Sequence, residues 1–385
     1  MTEHGSISAG AKKKKQKLRV RTFVFILTAA IAAGLYLSRS LWLPRLKGIS
    51  KQYHMIINDG VLAQGNYPIE VSGGNNFQLC CTGSDFAVLT DAYIYFYNEK
   101  GELIRKRQHG YINPVMRCSG ENLLIYENGG NDFCIENRDD VIYEKNFGTN
   151  IIFARISAEG YIAAVTTSRN YDCEMFIYDP KGNMIYERKC FEHVNDLCFN
   201  EESTGCTISF INAEDGSITT SVEEINFRES SEVWKSPGLD TLGLDVYCRS
   251  GGAFVLGLDA CGYIANNGEI VSFYRYDGEL AGGSSDGEKS AVAVNNYPRR
   301  KYTLAIFTGD EEKPTELEFE QPLIDVAIKD DIIYVMSREM IIAYDFSGAV
   351  RATAGISDSY SGFARSSKYI YLKGFNKIDR IDYDC

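Results

Sequence analysis

Four histidines, eleven cysteines and 52 acidic residues are the chain's stock of reactive side chains, and their spacing decides which chemistry is open. His4 and His54 fall near the N-terminus, leaving His109 and His193 far apart in the remainder. Two isolated imidazoles are too few for a histidine-based metal or acid–base site. No HExxH zinc motif, phosphate-binding loop or calcium loop occurs. Glycoside hydrolysis would need two carboxylates at a fixed separation across a cleft, and the sequence pairs none. The expectation is a protein that is not an enzyme, with no catalytic residue, cofactor or metal.

Two residue types nevertheless recur at regular distances. Asp196, Asp245 and Asp325 each open a similar four-residue piece, Asp-Leu-Cys-Phe, Asp-Val-Tyr-Cys and Asp-Val-Ala-Ile. A residue repeated unit by unit is expected to tie down a turn through nearby backbone amides. Arg117, Arg155 and Arg365 fall on the strands expected to lie innermost. An arginine offers a rigid bidentate fork, so the three form a candidate anion site, unless they pair with neighbouring carboxylates.

The cysteines are Cys80, Cys81, Cys118, Cys134, Cys173, Cys190, Cys198, Cys206, Cys248, Cys261 and Cys385. None shows CxxC or zinc-finger spacing. Cys81, Cys118 and Cys248 stand where other units carry Ile156, Phe199 and Ile328, which predicts buried apolar thiols.

Positioning these residues falls to strands. Tyr (25), Phe (20) and Gly (35) are abundant and Pro (8) is scarce, as suits aromatic-rich strands joined by tight turns. Four segments share one pattern, an apolar strand, a polar turn closed by Gly and a second apolar start. They are Ile94–Ile104, Met175–Ile185, Val271–Leu280 and Ile341–Val350. The Gly supplies φ > 0 at a hairpin turn. Cys81-Thr-Gly-Ser-Asp-Phe and Cys118-Ser-Gly-Glu-Asn-Leu repeat a strand–turn–strand pattern. The turns recur about every 41 residues, the length of one four-stranded propeller blade. Residues 58–385 therefore fit eight blades, with seven still open. The final unit has three strands, and Asn66–Val71 is the expected fourth, closing the ring and removing its exposed edges.

Ahead of this repeat lies an uncharged run, Thr22–Leu37, extended by Leu41-Trp42-Leu43 before Pro44. A helix over residues 20–43 reaches the roughly 20 residues needed to cross a bilayer. Apolar Leu35-Tyr36-Leu37 follows the small-residue stretch Ala30-Ile31-Ala32, which favours an uncleaved anchor over a signal peptide. Lys12 to Lys15, Lys17, Arg19 and Arg21 all precede the run, and basic residues mark the cytoplasmic side. The expected organisation is a cytoplasmic tail (1–19), a transmembrane helix (20–43), a stalk (44–57) and an extracytoplasmic propeller (58–385). That places the protein in the plasma membrane as a single-pass chain.

Residues 1–47 carry ten Lys or Arg against Glu3, whereas the rest carries 30 basic and 51 acidic residues, a net of −21. So acidic a domain repels phosphate backbones, which excludes nucleic acid. The repeat resembles the WD-repeat and quinoprotein-like propeller superfamily, most closely membrane-anchored propeller proteins of Gram-positive bacteria, a family without assigned function. It lacks the Trp-Asp and Gly-His dipeptides and the aromatic motif of quinone propellers. The resemblance implies an all-β closed propeller acting as a tethered scaffold for an envelope protein. The alternative is a ligand sensor or an envelope-carbohydrate enzyme using the channel. Loops at 295–301 and 310–316 are the expected contact elements.

Overall fold

Short runs rich in Tyr, Phe, Ile and Val, each ended by a polar turn, build eight antiparallel sheets of four strands. The structure is a computed structural model that describes residues 60–72, 76–214, 216–229, 231–309 and 313–383. The expected tail, membrane helix and stalk lie outside these residues, as do His4, His54 and Cys385. Among the described residues no helix is long and apolar enough to cross a membrane.

In each blade the strands are lettered A to D from the axis outward. The A strands are Gln78–Thr82, Pro114–Ser119, Ile151–Ile156, His193–Phe199, Gly243–Arg249, Glu279–Asp286, Leu323–Lys329 and Tyr360–Arg365. They neighbour one another around a ring in which the eighth lies beside the first. This is a closed eight-bladed propeller. All A–B and C–D turns therefore lie on one face and all B–C turns and D–A loops on the other.

Eight hydrophobic clusters hold the ring, each shared by two consecutive blades. B strands such as Ile162–Thr167 are buried on both faces, whereas D strands such as Val141–Asn146 alternate toward solvent. Buried carboxylates also cross the interfaces. Glu136 accepts hydrogen bonds from Arg105 and Arg107 of blade 1, and Glu223 accepts two from Arg188 of blade 3.

The C–D turns explain the repeat. Asn98, Asp179 and Asp345 each accept amides two and four residues on, at 2.8–3.0 Å. A Gly closes the turn: Gly101, Gly182, Gly268 and Gly348 have φ of 79°, 80°, 83° and 82°. One expected hairpin is corrected here. Val271–Leu280 is not a hairpin, because Ile270–Arg275 is the D strand of blade 5 and Glu279 begins blade 6. The blade 5 turn is Asn266–Glu269, whose Asn267 accepts the Glu269 amide at 3.0 Å. The expected polar insertion at 295–301 is likewise a tight turn between Lys289–Asn296 and Lys301–Phe307.

Blade 8 is completed from the N-terminus, as expected, but mainly by an earlier segment. Gly60–Leu62 pairs with residues 381–383, and Ile69–Glu70 pairs further along the same strand with residues 377–378. The Ala63 and Val71 amides continue the pairing, to the Arg380 and Asn376 carbonyls at 2.7 and 2.8 Å. A chain beginning at residue 72 is expected to expose Lys377–Tyr383 as an unpaired edge and to self-associate. Size-exclusion chromatography with light scattering reads this outcome. A monodisperse monomer with an unchanged melting temperature would mean that the ring closes without these strands.

Candidate functional site

The axial channel is lined by A strands, and six of the eight share a β-bulge near their start. The residue just after the bulge is Phe153, Asp196, Asp245, Gly282, Asp325 or Gly362 in blades 3 to 8. A bulge re-aims the following side chain, and the recurring aspartates of the sequence occupy this position. They do not tie down turns, as the repeat suggested. Asp196 accepts the Val246 amide of the next blade at 2.9 Å, and Asp325 accepts its neighbour Val326 at 2.8 Å. Asp325 also faces Phe363 of blade 8. A Cβ added at Gly282 or Gly362 would stand 3.5 or 3.4 Å from the Asp325 carboxylate, an ordinary contact distance.

The three arginines all lie on A strands but do not converge. Arg155 spans three blades, with Nε 2.7 Å from Asp196 and Nη2 3.2 Å from Asp245. Burial pushes the Asp196 carboxyl up against the pull of Arg155. Burial also opposes the Arg155 charge, yet the two aspartates hold it above the usual arginine value. Arg365 turns outward, over the Tyr334 ring at 4.8 Å, and donates to the Tyr369 carbonyl at 2.8 Å. Arg117 lines a cavity of about 510 Å³ with Cys80, Cys118, Asp325 and Lys373. A separate cavity of about 870 Å³ contains Arg155, Asp196, Asp245, Tyr247 and Ser285.

Disulfides line the channel as well. Cys80–Cys118 joins the A strands of blades 1 and 2, and Cys198–Cys248 joins those of blades 4 and 5. The sequence reading of Cys118 and Cys248 as buried thiols is thus corrected, because adjacent A strands bring each against a cysteine of the neighbouring blade. Cys81, Cys134, Cys173, Cys190, Cys206 and Cys261 are free. His109 is buried, with Nε2 2.9 Å from the Thr90 carbonyl, while exposed His193 pairs with Asp172 at 3.0 Å. Among the described residues no three His, Cys, Asp or Glu side chains are grouped as a metal ion requires.

The expectation that the chain carries no GxSxG motif is corrected by Gly283-Ser-Ser-Asp-Gly287, which has this spacing of a serine nucleophile. It forms the end of an A strand and its turn, whereas a nucleophile elbow joins a strand to a helix. Ser285 Oγ donates to the Lys289 carbonyl at 3.1 Å and accepts from Ser290, with no histidine beside it.

The two faces of the ring differ in surface chemistry. Five large apolar residues that stand exposed on connections are Ile112, Phe191, Leu258, Tyr297 and Phe375. All five lie on D–A loops or B–C turns. Phe191 and Ile112 are 82% and 81% exposed, which leaves their side chains almost entirely in water. The A–B turns carry Glu121, Glu159, Glu201, Glu202, Asp330 and Asp331, and the opposite face has acidic residues as well, among them Asp240, Asp259, Asp277 and Glu339. Of the two expected contact loops, 295–301 lies on the apolar face; of 310–316, residues 310–312 lie outside the described residues and 313–316 lie on the C–D side.

A model of the family of unknown function DUF5711 matches residues 63–382. No curated protein sequence matches the chain. Among solved structures, the computationally designed Ika8 protein is 10% identical, with a TM-score of 0.64 over 82% of this chain and 98% of its own. BamB from Moraxella catarrhalis is 10% identical, with a TM-score of 0.56 over 83% and 99%. Chaetomium thermophilum Sqt1, bound to the N-terminus of the ribosomal protein L10, is 10% identical with a TM-score of 0.58 over 85% and 100%. At these identities the likeness is one of fold.

The channel carboxylates set the pH response. Burial pushes Asp325 up to about 6, whereas an unfolded aspartate titrates near about 3.9. Between these values the folded chain holds a proton that the unfolded chain has released. Stability is therefore greater below the window and falls as pH rises through it, by up to roughly 3 kcal/mol. Urea denaturation of Asp325→Asn is expected to lose this slope between about pH 4 and 6. In the same series Arg155→Ala, which strands Asp196 without its partner, is expected to cost about 3–5 kcal/mol at neutral pH. A loss below about 1 kcal/mol would mean that the pair contributes no more than a surface salt bridge does.

Proposed function

The chain belongs to DUF5711, a family of unknown function, and on that premise we propose a non-enzymatic scaffold that binds another protein through its D–A and B–C face. In this reading an N-terminal membrane helix tethers the propeller to the outer side of the plasma membrane. Its partner is an envelope protein.

The single observation that carries the reading is the placement of Ile112, Phe191, Leu258, Tyr297 and Phe375 on one face. Exposed aromatic and aliphatic tips on rigid loops suit protein recognition, where such anchors supply most of the binding energy. A closed ring holds these loops in place before a partner arrives, which lowers the ordering cost of binding. The solved Sqt1 complex with the L10 N-terminus is a binding precedent within the same fold.

Two further observations support the location. Cys80–Cys118 and Cys198–Cys248 are disulfides of a kind that persists in oxidising surroundings. The apolar run 22–37, preceded by seven basic residues, supports an anchor with its N-terminus inside. A tether of this kind raises the effective concentration of membrane-bound partners, so weak contacts suffice.

Phe191→Ser combined with Leu258→Ser and Phe375→Ser is expected to abolish co-purification of the partner from solubilised membranes. Exposed substitutions of this type change stability by only about 0.5 kcal/mol each, so the melting temperature should move little. A triple variant that still retains the partner would move the interface elsewhere. Protease added to intact cells should release the propeller, and full protection would place it inside.

A further inference from the structure

Of the six free cysteines among the described residues, four face non-cysteine partners across their ladders. Cys81 lies opposite Phe86, Cys134 opposite Ile125, Cys206 opposite Ile225 and Cys261 opposite Leu256. Cys173 and Cys190 lie opposite each other. Cys173 opens the third strand of blade 3, Cys173–Tyr178, and Cys190 ends the fourth, Met184–Cys190. Antiparallel partners hold their Cα atoms about 4.5–5.5 Å apart, inside the window of about 4.4–6.8 Å in which disulfides close. Both side chains are buried, at 1% and 2% exposure.

A hydrogen bond from Cys190 to the Cys173 sulfur holds Cys173 below its ordinary thiol value, and the same bond pushes Cys190 up. Attack on a disulfide needs the thiolate form.

We infer that Cys173 and Cys190 are a third disulfide-forming site, which closes the outer hairpin of blade 3 by exchange with an external disulfide. The Cys173 thiolate attacks one sulfur of that disulfide and expels the other as a thiolate. Cys190 then attacks Cys173 Sγ in the mixed disulfide, forming the bond within the hairpin and expelling the second thiolate. The two thiol protons pass to the expelled thiolates, and the two electrons reside in the reduced dithiol. Burial restricts this exchange to the folding chain or to local opening of the outermost strand, where protection is weakest.

The site lies directly below the apolar face. The hairpin ends emerge at Asp172 and Phe191, and the Tyr171 and Phe191 rings meet edge-on at 5.2 Å. A cross-link here anchors the stem of the most exposed aromatic tip. Its effect on partner binding rests on the face proposed above, whereas the cross-link itself does not.

The test is a disulfide map of the full chain, purified from membranes without reductant and alkylated in denaturant before proteolysis. The expected result is a linked peptide pair joining Cys173 to Cys190, with Cys81, Cys134, Cys206 and Cys261 alkylated. The map is repeated after incubation with excess glutathione disulfide in mild urea, which opens the outer strand. In the Cys190→Ser variant Cys173 should become fully alkylated, with the other two disulfides unchanged. Alkylation of both Cys173 and Cys190 after that incubation, in chains whose Cys80–Cys118 and Cys198–Cys248 bonds are intact, would overturn the inference.

Discussion

A blade of this propeller has no core of its own, and the rest of the structure depends on that. Along the B strand of blade 3, Ile162 and Ala164 pack against blade 2 while Ala163 and Val165 pack against blade 4. Blade 7 repeats the arrangement, with Ile333 and Val335 facing blade 6 and Tyr334 and Met336 facing blade 8. Alternation along a strand sends successive side chains to opposite neighbours, so every sheet is buried only if both neighbours are present. Closure is therefore a condition of stability for all eight. It is met where blade 8 reaches blade 1: Tyr371 packs on Phe86 with centroids 4.4 Å apart and donates to the Ser84 carbonyl.

Near the axis the same constraint becomes electrostatic and covalent. Eight A strands converge there, and backbone polar groups at the bulges must find partners across blades as well as within them. Asp196 meets this need for blades 4 and 5, and its charge in turn requires Arg155 from blade 3. Blades 6 and 8 have Gly at the corresponding position, beside the Asp325 carboxylate of blade 7. The disulfides act at the same radius. Each joins consecutive A strands across 38 or 50 residues of chain, so each fixes one interface of the ring at its narrowest point. A channel cross-linked and ion-paired in this way is a rigid hub rather than an adaptable pocket.

Much of this was legible in the sequence, because the turn chemistry repeats. The Asn98, Asp179 and Asp345 turns carry both a side-chain cap and a positive-φ glycine, and these two features together mark the blade period. Blade 5 was misread because Tyr276-Asp-Gly278 imitates that pattern in a D–A loop, while the real turn, Asn266-Asn-Gly268-Glu269, follows a strand whose first residues, Ala260, Cys261 and Gly262, are small. The arginines were placed correctly on inner strands, but their side-chain directions depend on register and bulges that no local pattern encodes. The disulfides were invisible for a related reason: Cys118 and Cys248 look like apolar replacements until the lateral contact between blades supplies Cys80 and Cys198. Exposed Phe191 had no signal at all. It follows a strand as any core aromatic would, and only the position of the D–A loop turns it outward.

The division of labour between the two faces follows from connectivity. A–B and C–D turns join strands of one blade and are tight, so their residues are committed to caps and positive φ. D–A loops join different blades and must only span the gap, which leaves their side chains free to serve another purpose. Ile112 and Phe191 lie on such loops, while Leu258, Tyr297 and Phe375 lie on the tight B–C turns of the same face. Gly60 pairs with Tyr383, at the end of the strand that leads to the opposite face. Within the described residues the chain thus enters the propeller at the end that carries the A–B and C–D turns. The exposed apolar tips lie at the other end of the strands.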